Sequence, residues 1–221
     1  MSYSRLNPSQ RYNNLLDQYR EMHTEGEKFI GIPAENTFPG LSLPPQAQRI
    51  KRLIKLTESA NLLDYGSGKG KQYDPMPFKA GDQDIYDSIL DYWDIDSVHC
   101  YDPCYTPFSR LPENKFDGVI STDVLEHCPE EDLPWIIEEM FSFSRKFLFA
   151  NVACYPAKKR LPNGQNAHIT IKSESWWQDI FHKISTNFPG IVWEVWIQTL
   201  TDTNHGKSMV ETCLTNQNTD H

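Results

Sequence analysis

Three things are scarce in this 221-residue chain, and each scarcity excludes a class of protein. The longest uncharged, apolar-rich stretch runs only from Phe147 to Ala157, about half the roughly 20 residues a spanning helix needs. No cationic segment followed by an apolar core stands near the N-terminus, so neither a secretory leader nor a membrane partner is expected, and a cytoplasmic location is. Cysteine is sparse and odd in number. Cys100, Cys104, Cys128, Cys154 and Cys213 show no C-x-x-C pair, which excludes a disulfide framework or cysteine-held zinc and fits free thiols in a reducing compartment. Positive charge is the third deficit, with 21 Lys and Arg against 30 Asp and Glu and a net charge of -9. Such a chain repels phosphate backbones on average, so no DNA partner is expected, although a local basic patch remains open.

What is present is a globular composition, with 12% aromatic residues, 15 Pro and 11 Gly, enough for one large domain with a small appendage. Residues 1–60 read as an N-terminal helical cap. Tyr12, Leu15, Leu16 and Tyr19 share one helical face, Ile50, Leu53 and Ile54 another, and Pro44 and Pro45 suit the start of the second helix. Between them Gly31 to Pro45 reads as a loop. Residues 61–221 then alternate strand and helix. Strands are expected at Leu62–Leu63, Val98–Tyr101, Phe116–Ser121 and Lys146–Cys154, and helices at Asp84–Trp93, around Leu133 to Phe141, and around Trp176 to Ile184. Acidic residues Glu130, Glu131 and Asp132 suit the start of the second of these helices. Ile191–Leu200 and Lys207–Leu214 read as a terminal hairpin around Asn204, His205 and Gly206. The expected fold class is α/β: a Rossmann-like doubly wound sheet, mostly parallel, closed by a C-terminal antiparallel hairpin strand.

The sharpest chemical signal is the strand Leu62-Leu63 running into Asp64-Tyr65-Gly66-Ser67-Gly68-Lys69-Gly70. Glycines there let the backbone turn sharply and approach a ligand at the carboxyl edge of the sheet. A dinucleotide fingerprint needs G-x-G-x-x-G, and the position after Gly70 is Lys71. The stretch resembles motif I of class I S-adenosylmethionine-dependent methyltransferases, where an acidic residue and glycines surround the methionine part of the cofactor. Phe116-Asp117-Gly118-Val119-Ile120-Ser121-Thr122-Asp123-Val124-Leu125-Glu126-His127 resembles the fourth motif of the same family.

The resemblance implies S-adenosyl-L-methionine as cofactor, with Asp64, Gly66, Ser67, Gly68, Gly70, Asp102, Pro103, Thr122 and Asp123 around it. Asp102, at the tip of the next strand, matches the acidic residue that accepts from the two ribose hydroxyls. The longer span before it makes Lys71 to Asp82 an insertion. Only Pro103 to Lys115 separates Asp102 from Phe116, too little for the helix and third strand usual there, so Pro107, Phe108 or Arg110 takes the adenine-contacting role.

Methyl transfer to oxygen is an in-line displacement in which the hydroxyl loses its proton, so a base near the sulfonium helps. His127, at the end of its strand, and His168, after the next strand, are the candidates, with Glu126 beside them; His127 as a helix cap is the alternative. Asp123-x-x-Glu126-His127 with the distant His168 also resembles the ligand pattern of metal-assisted O-methyltransferases. It implies a divalent metal such as Mg on Asp123, Glu126, His127 and His168 that lowers the pKa of an acceptor hydroxyl. Lys158, Lys159 and Arg160 form a basic loop suited to an anionic substrate group. Tyr19, His23, Phe38 and Gly40 are the cap residues expected to cover the cofactor. The acceptor expected is a small molecule or saccharide, most simply a hydroxyl. Methylation of nitrogen or of a local group on RNA or protein, a non-catalytic cofactor-binding subunit, and a nicotinamide oxidoreductase stay open as alternatives.

Overall fold

Strand β1 (Asn61–Tyr65) lies between two parallel neighbours, β4 (Ser97–Tyr101) and β5 (Phe116–Thr122). A strand so placed is covered on both faces, which is why it reads as a near-continuous apolar run rather than an alternation. The computed structural model describes residues 3–80, 84–203 and 206–217; Asp82 of the insertion and Asn204 and His205 of the expected hairpin turn lie outside them.

Beyond β5 come β6 (Ser144–Ala153), β7 (Val192–Thr203) and β8 (Gly206–Thr215), giving the order β4-β1-β5-β6-β7-β8. All pairings are parallel except β7 with β8. This is the expected α/β architecture, a mostly parallel doubly wound sheet with one antiparallel strand at the C-terminal edge. Helix α4 (Leu133–Phe143) links β5 to β6, and α5 (Glu174–Ser185) links β6 to β7. Side chains alternate across the sheet with period two. Leu63, Val119, Leu148 and Ala150 therefore join α4 and α5 in one core, while Leu62, Ile120, Phe147 and Phe149 form a second on the opposite face.

The second core is completed by α2 (Ala47–Thr57), whose Ile50, Leu53 and Ile54 are buried. The helical layer over the sheet thus begins before residue 61. Helix α1 (Gln10–Glu25) is the true cap, started by Ser9, whose hydroxyl accepts from Tyr12 N. Asp132 lies beside the first turn of α4 without capping it. It accepts instead from Ser9 N (2.9 Å), from the Ser9 hydroxyl and from Trp135 Nε1 (2.9 Å), pinning α1 to α4. A second tie joins Arg5 to Glu139 and to the Tyr65 hydroxyl at the end of β1.

The helix expected over Asp84–Trp93 is not one element. Phe78–Ala80 (β2) and Asp84–Tyr86 (β3) pair antiparallel, and helix α3 covers only Ile89–Trp93. The Ser88 side chain accepts from Asp91 N (3.1 Å) and so starts the helix there, leaving Ile85 exposed in β3. All five cysteines are free. No helix among the described residues is long and apolar enough to cross a membrane.

Candidate functional site

The chain runs from β1 outward to β4 and then crosses back to β5, so the sheet reverses its winding between β1 and β5. The carboxyl ends of strands at such a reversal leave a crevice, because the helices that follow depart to opposite faces. A cavity of about 370 Å³ occupies that crevice, roofed by α1. Its lining includes Gly66, Gly68, Asp102 and Pro103 on one side and Asp123, His127, His168, Lys158 and Lys159 on the other.

On the first side the loop after β1 is folded back on β4. Gly66 N and Ser67 N both donate to Tyr101 O (2.7 and 3.1 Å). Gly66 has φ +88, and a Cβ there would fall 2.5 Å from Val124 Cγ2. Gly68, at φ +59, has its bare Cα against the cap, where a Cβ would meet Phe38 O at 2.4 Å. The Asp102 carboxylate accepts from Gly68 N (3.0 Å) with one oxygen and from Cys104 N (2.8 Å) with the other. Burial pushes its pKa up, opposed by those N–H groups. His23 Nε2 stands 3.8 Å from Asp102, with the ring stacked on Tyr105. Burial first, then Lys69 and Lys159, lower His23 to about 4, so the imidazole is uncharged at neutral pH. The Lys69 ammonium donates to His23 O (3.0 Å) and Ala34 O (2.7 Å), fastening the cap to the glycine loop.

The second side is built by β5 and β6. Asp123 follows β5 with φ +60, a conformation costly for a residue with a Cβ, and its N–H donates to Asn151 O (3.2 Å). A single turn, Leu125–His127, then brings His127 to the cavity. His127 Nδ1 lies 2.9 Å from Ala167 O and 2.7 Å from the Tyr19 hydroxyl. His168 Nδ1 lies 2.6 Å from Tyr155 O, and its Nε2 stands 3.8 Å from Asp123 Oδ1. A carbonyl oxygen only accepts, so the matching tautomer of each ring carries its proton on Nδ1 and leaves a lone pair on Nε2. Burial lowers His127 to about 4, with Asp123 opposing. Asp123, His127 and His168 each offer a ligand atom within 4.8 Å of the others.

Glu126 is outside this group. It is fully buried, with Oε1 accepting from Ala153 N (2.6 Å) and Oε2 without a partner among the described residues. Burial, then the Asp123 charge, push its pKa well up. Its carbonyl accepts from Ile169 N and Thr170 N (both 3.0 Å), which holds the strand of chain carrying His168 against the site. Asp64 also lies off the cavity lining, its Oδ2 accepting from Gln72 Nε2 (3.0 Å) and the Tyr73 hydroxyl (2.8 Å). Burial raises its pKa to about 7. Ser67, Gly70 and Thr122 likewise do not line the cavity, and neither does Gly40, whose absent Cβ makes room for Gln72.

The basic loop divides. Arg160 donates through its guanidinium to Gly164 O (3.0 Å) and does not line the cavity, whereas Lys158 and Lys159 do. Asn166 was not expected to matter. Its side chain accepts from Ala157 N (2.9 Å) and His168 N (3.0 Å) and donates to Ala157 O (2.8 Å), clasping the loop that carries Lys158, Lys159 and His168. Its position two residues before His168 was the only signal available. No protein-family profile, curated protein or solved structure matches the chain.

Proposed function

We propose that the chain is a class I S-adenosylmethionine-dependent methyltransferase acting on a hydroxyl of a small-molecule or saccharide acceptor. The observation that carries this reading is a single one: the glycine loop and Asp102 share one cavity with Asp123, His127 and His168. A cofactor site and a chemically competent cluster thus face the same space at the sheet's reversal point.

The residues fit the cofactor. Each Asp102 oxygen accepts one backbone N–H and keeps a second lone pair for a ribose hydroxyl. Gly66 and Gly68 both line the cavity, and their lack of Cβ lets the loop pack tightly against Val124 and Phe38 beside it. S-adenosylmethionine, when bound, supplies an electrophilic methyl on a sulfonium. The role of Asp64 in this reading is to set the glycine loop through Gln72, which also donates to Ser67 O (3.3 Å), rather than to touch the cofactor.

The residues also fit a divalent ion. Two imidazoles oriented by backbone carbonyls and one carboxylate are a common set of metal ligands, and a carbonyl partner on the second nitrogen is the usual way such histidines are held. Imidazole donors suit a first-row transition ion better than Mg. An ion held there would lower the pKa of a bound hydroxyl. With no ion held, the free Nε2 lone pairs of His127 and His168 orient the acceptor or take its proton, and Tyr19 fixes the His127 ring from the cap.

Calorimetry with S-adenosylhomocysteine and with NAD tests the reading. Saturable binding of the former is expected, and tighter binding of NAD would overturn it. Turnover is then sought with a methyl-labelled donor against hydroxylated small molecules and sugars.

A further inference from the structure

Lys159 occupies an unusual place. The chain is acidic, with a net charge of -9, and three lysines among the described residues sit in ion pairs: Lys28 with Glu21 and Glu25, Lys146 with Asp117, Lys172 with Glu130. The Lys159 side chain is half-buried at the cavity wall, its ammonium lying 4.6 Å from the centroid of the Phe38 ring. No carboxylate forms an ion pair with it among the described residues, and the negative charges that reach it are those of Asp123 and Glu27. An aromatic face offsets part of the lost hydration of a cation but offers no anionic oxygen.

The backbone beneath this side chain is fixed. Asn166 clasps Ala157, Ala167 N donates to Lys159 O (3.2 Å), and Leu161 is fully buried in a small core with Leu15 and Met22. The ammonium is therefore presented by a rigid loop rather than by a free surface chain. It faces a cavity whose two lining carboxylates differ. Asp102 accepts one backbone N–H on each oxygen, and Asp123 belongs to the histidine cluster. Of the two lysines that line the cavity, Lys159 is half-buried and Lys158 more exposed beside it.

From this the geometry points to Lys159 as an anion-binding residue that receives a carboxylate of a ligand held in the cavity between the glycine loop and the Asp123–His127–His168 cluster. The carboxylate has two possible sources within the proposed function, on which only this choice of source rests: the amino-acid end of the methyl donor, or a carboxylate on the acceptor. Phe38 links them. Its backbone abuts Gly68, on the donor side, and its ring contacts Tyr19, which bonds His127 on the acceptor side.

The test uses the full chain and the variants Lys159→Met, Lys159→Gln and Lys159→Arg, with melting temperature as the folding control. Calorimetry compares S-adenosylhomocysteine, which has the carboxylate, with methylthioadenosine, which lacks it. Malonate is then titrated at constant ionic strength into free protein and into protein saturated with S-adenosylhomocysteine. If the donor supplies the carboxylate, the two neutral variants bind S-adenosylhomocysteine at least about tenfold more weakly and methylthioadenosine unchanged. If the acceptor supplies it, both nucleosides bind the variants normally while malonate binding to the saturated protein is lost. Lys159→Arg retains binding to within a few-fold in either case. Neutral variants that match the wild type with S-adenosylhomocysteine and malonate alike overturn the assignment, as does a wild type that binds malonate in neither state and prefers no carboxylate-bearing nucleoside. Should neither nucleoside bind the wild type, the methyltransferase reading fails alone, and malonate binding to free protein still decides the role of Lys159.

Discussion

Nε2 of His168 stands 3.8 Å from Oδ1 of Asp123, and the opposite nitrogen of the same ring is held 2.6 Å from Tyr155 O. The imidazole is thereby aimed. With its proton committed to a carbonyl, its lone pair points toward a carboxylate across a gap too long for a hydrogen bond but suited to an atom between them.

An ion between these groups makes a first prediction. Calorimetric titration with Mn²⁺ or Zn²⁺ is expected to show one site, with affinity reduced at least about tenfold by Asp123→Asn, His127→Ala or His168→Ala. Glu126→Gln is expected to leave ion affinity nearly unchanged, because Glu126 lies outside the group and Gln still accepts from Ala153 N. Loss of affinity in Glu126→Gln equal to that of the histidine variants would return Glu126 to the ligand set.

Asp102→Ala removes an acceptor from the proposed ribose site and also strands Gly68 N and Cys104 N. S-adenosylhomocysteine should bind about 1.5 to 3 kcal/mol more weakly. Thermal melting should drop together with it, since the glycine loop loses its tether. Unchanged affinity in calorimetry would remove Asp102 from the cofactor site.

Asp64 gives a pH signature. Its folded pKa of about 7 stands above the ordinary 3.8, so protonated Asp64 is favoured by folding. Its stabilising contribution is complete below about pH 4 and is lost as pH rises through about 7. Asn mimics the protonated acid, keeping an acceptor for Gln72 and Tyr73 and placing its amide at the oxygen that lacks a partner. Denaturant unfolding should therefore find Asp64→Asn near wild type at pH 4 and more stable at pH 8, by on the order of 2 to 4 kcal/mol. A stability difference that does not change with pH would contradict this account.

Asp132 is fully buried and serves three donors from two helices. Asp132→Ala leaves Ser9 N and Trp135 Nε1 without acceptors and releases α1 from α4, a loss of about 3 kcal/mol in chemical denaturation. Because α1 roofs the cavity, ligand affinity should fall as well. A variant as stable as wild type would show that α1 is held by apolar contacts alone.

The repeating strand and helix pattern, the glycine cluster after Leu62-Leu63 and the histidines at 127 and 168 were legible in the chain itself, because burial imposes periodicity and tight turns demand glycine. Side-chain direction within those motifs was not. Asp64 and Tyr65 are neighbours, but strand pleating turns them to opposite faces, so Tyr65 lines the cavity and Asp64 serves the loop behind it. Glu126 and His127 are adjacent too. Within the single tight turn after Asp123 successive side chains diverge by about a third of a revolution, which sends Glu126 under the sheet to Ala153 and His127 into the cavity. In the same way Lys159 faces the cavity while Arg160 turns to Gly164. The sequence by itself determined which chemical groups the chain carries and the elements that bear them. Which of those groups meet, namely Asp123, His127 and His168 with Asp102 and Lys159 across one cavity, was decided by the tertiary structure, since it depends on how strands far apart in the chain end side by side at the reversal of the sheet.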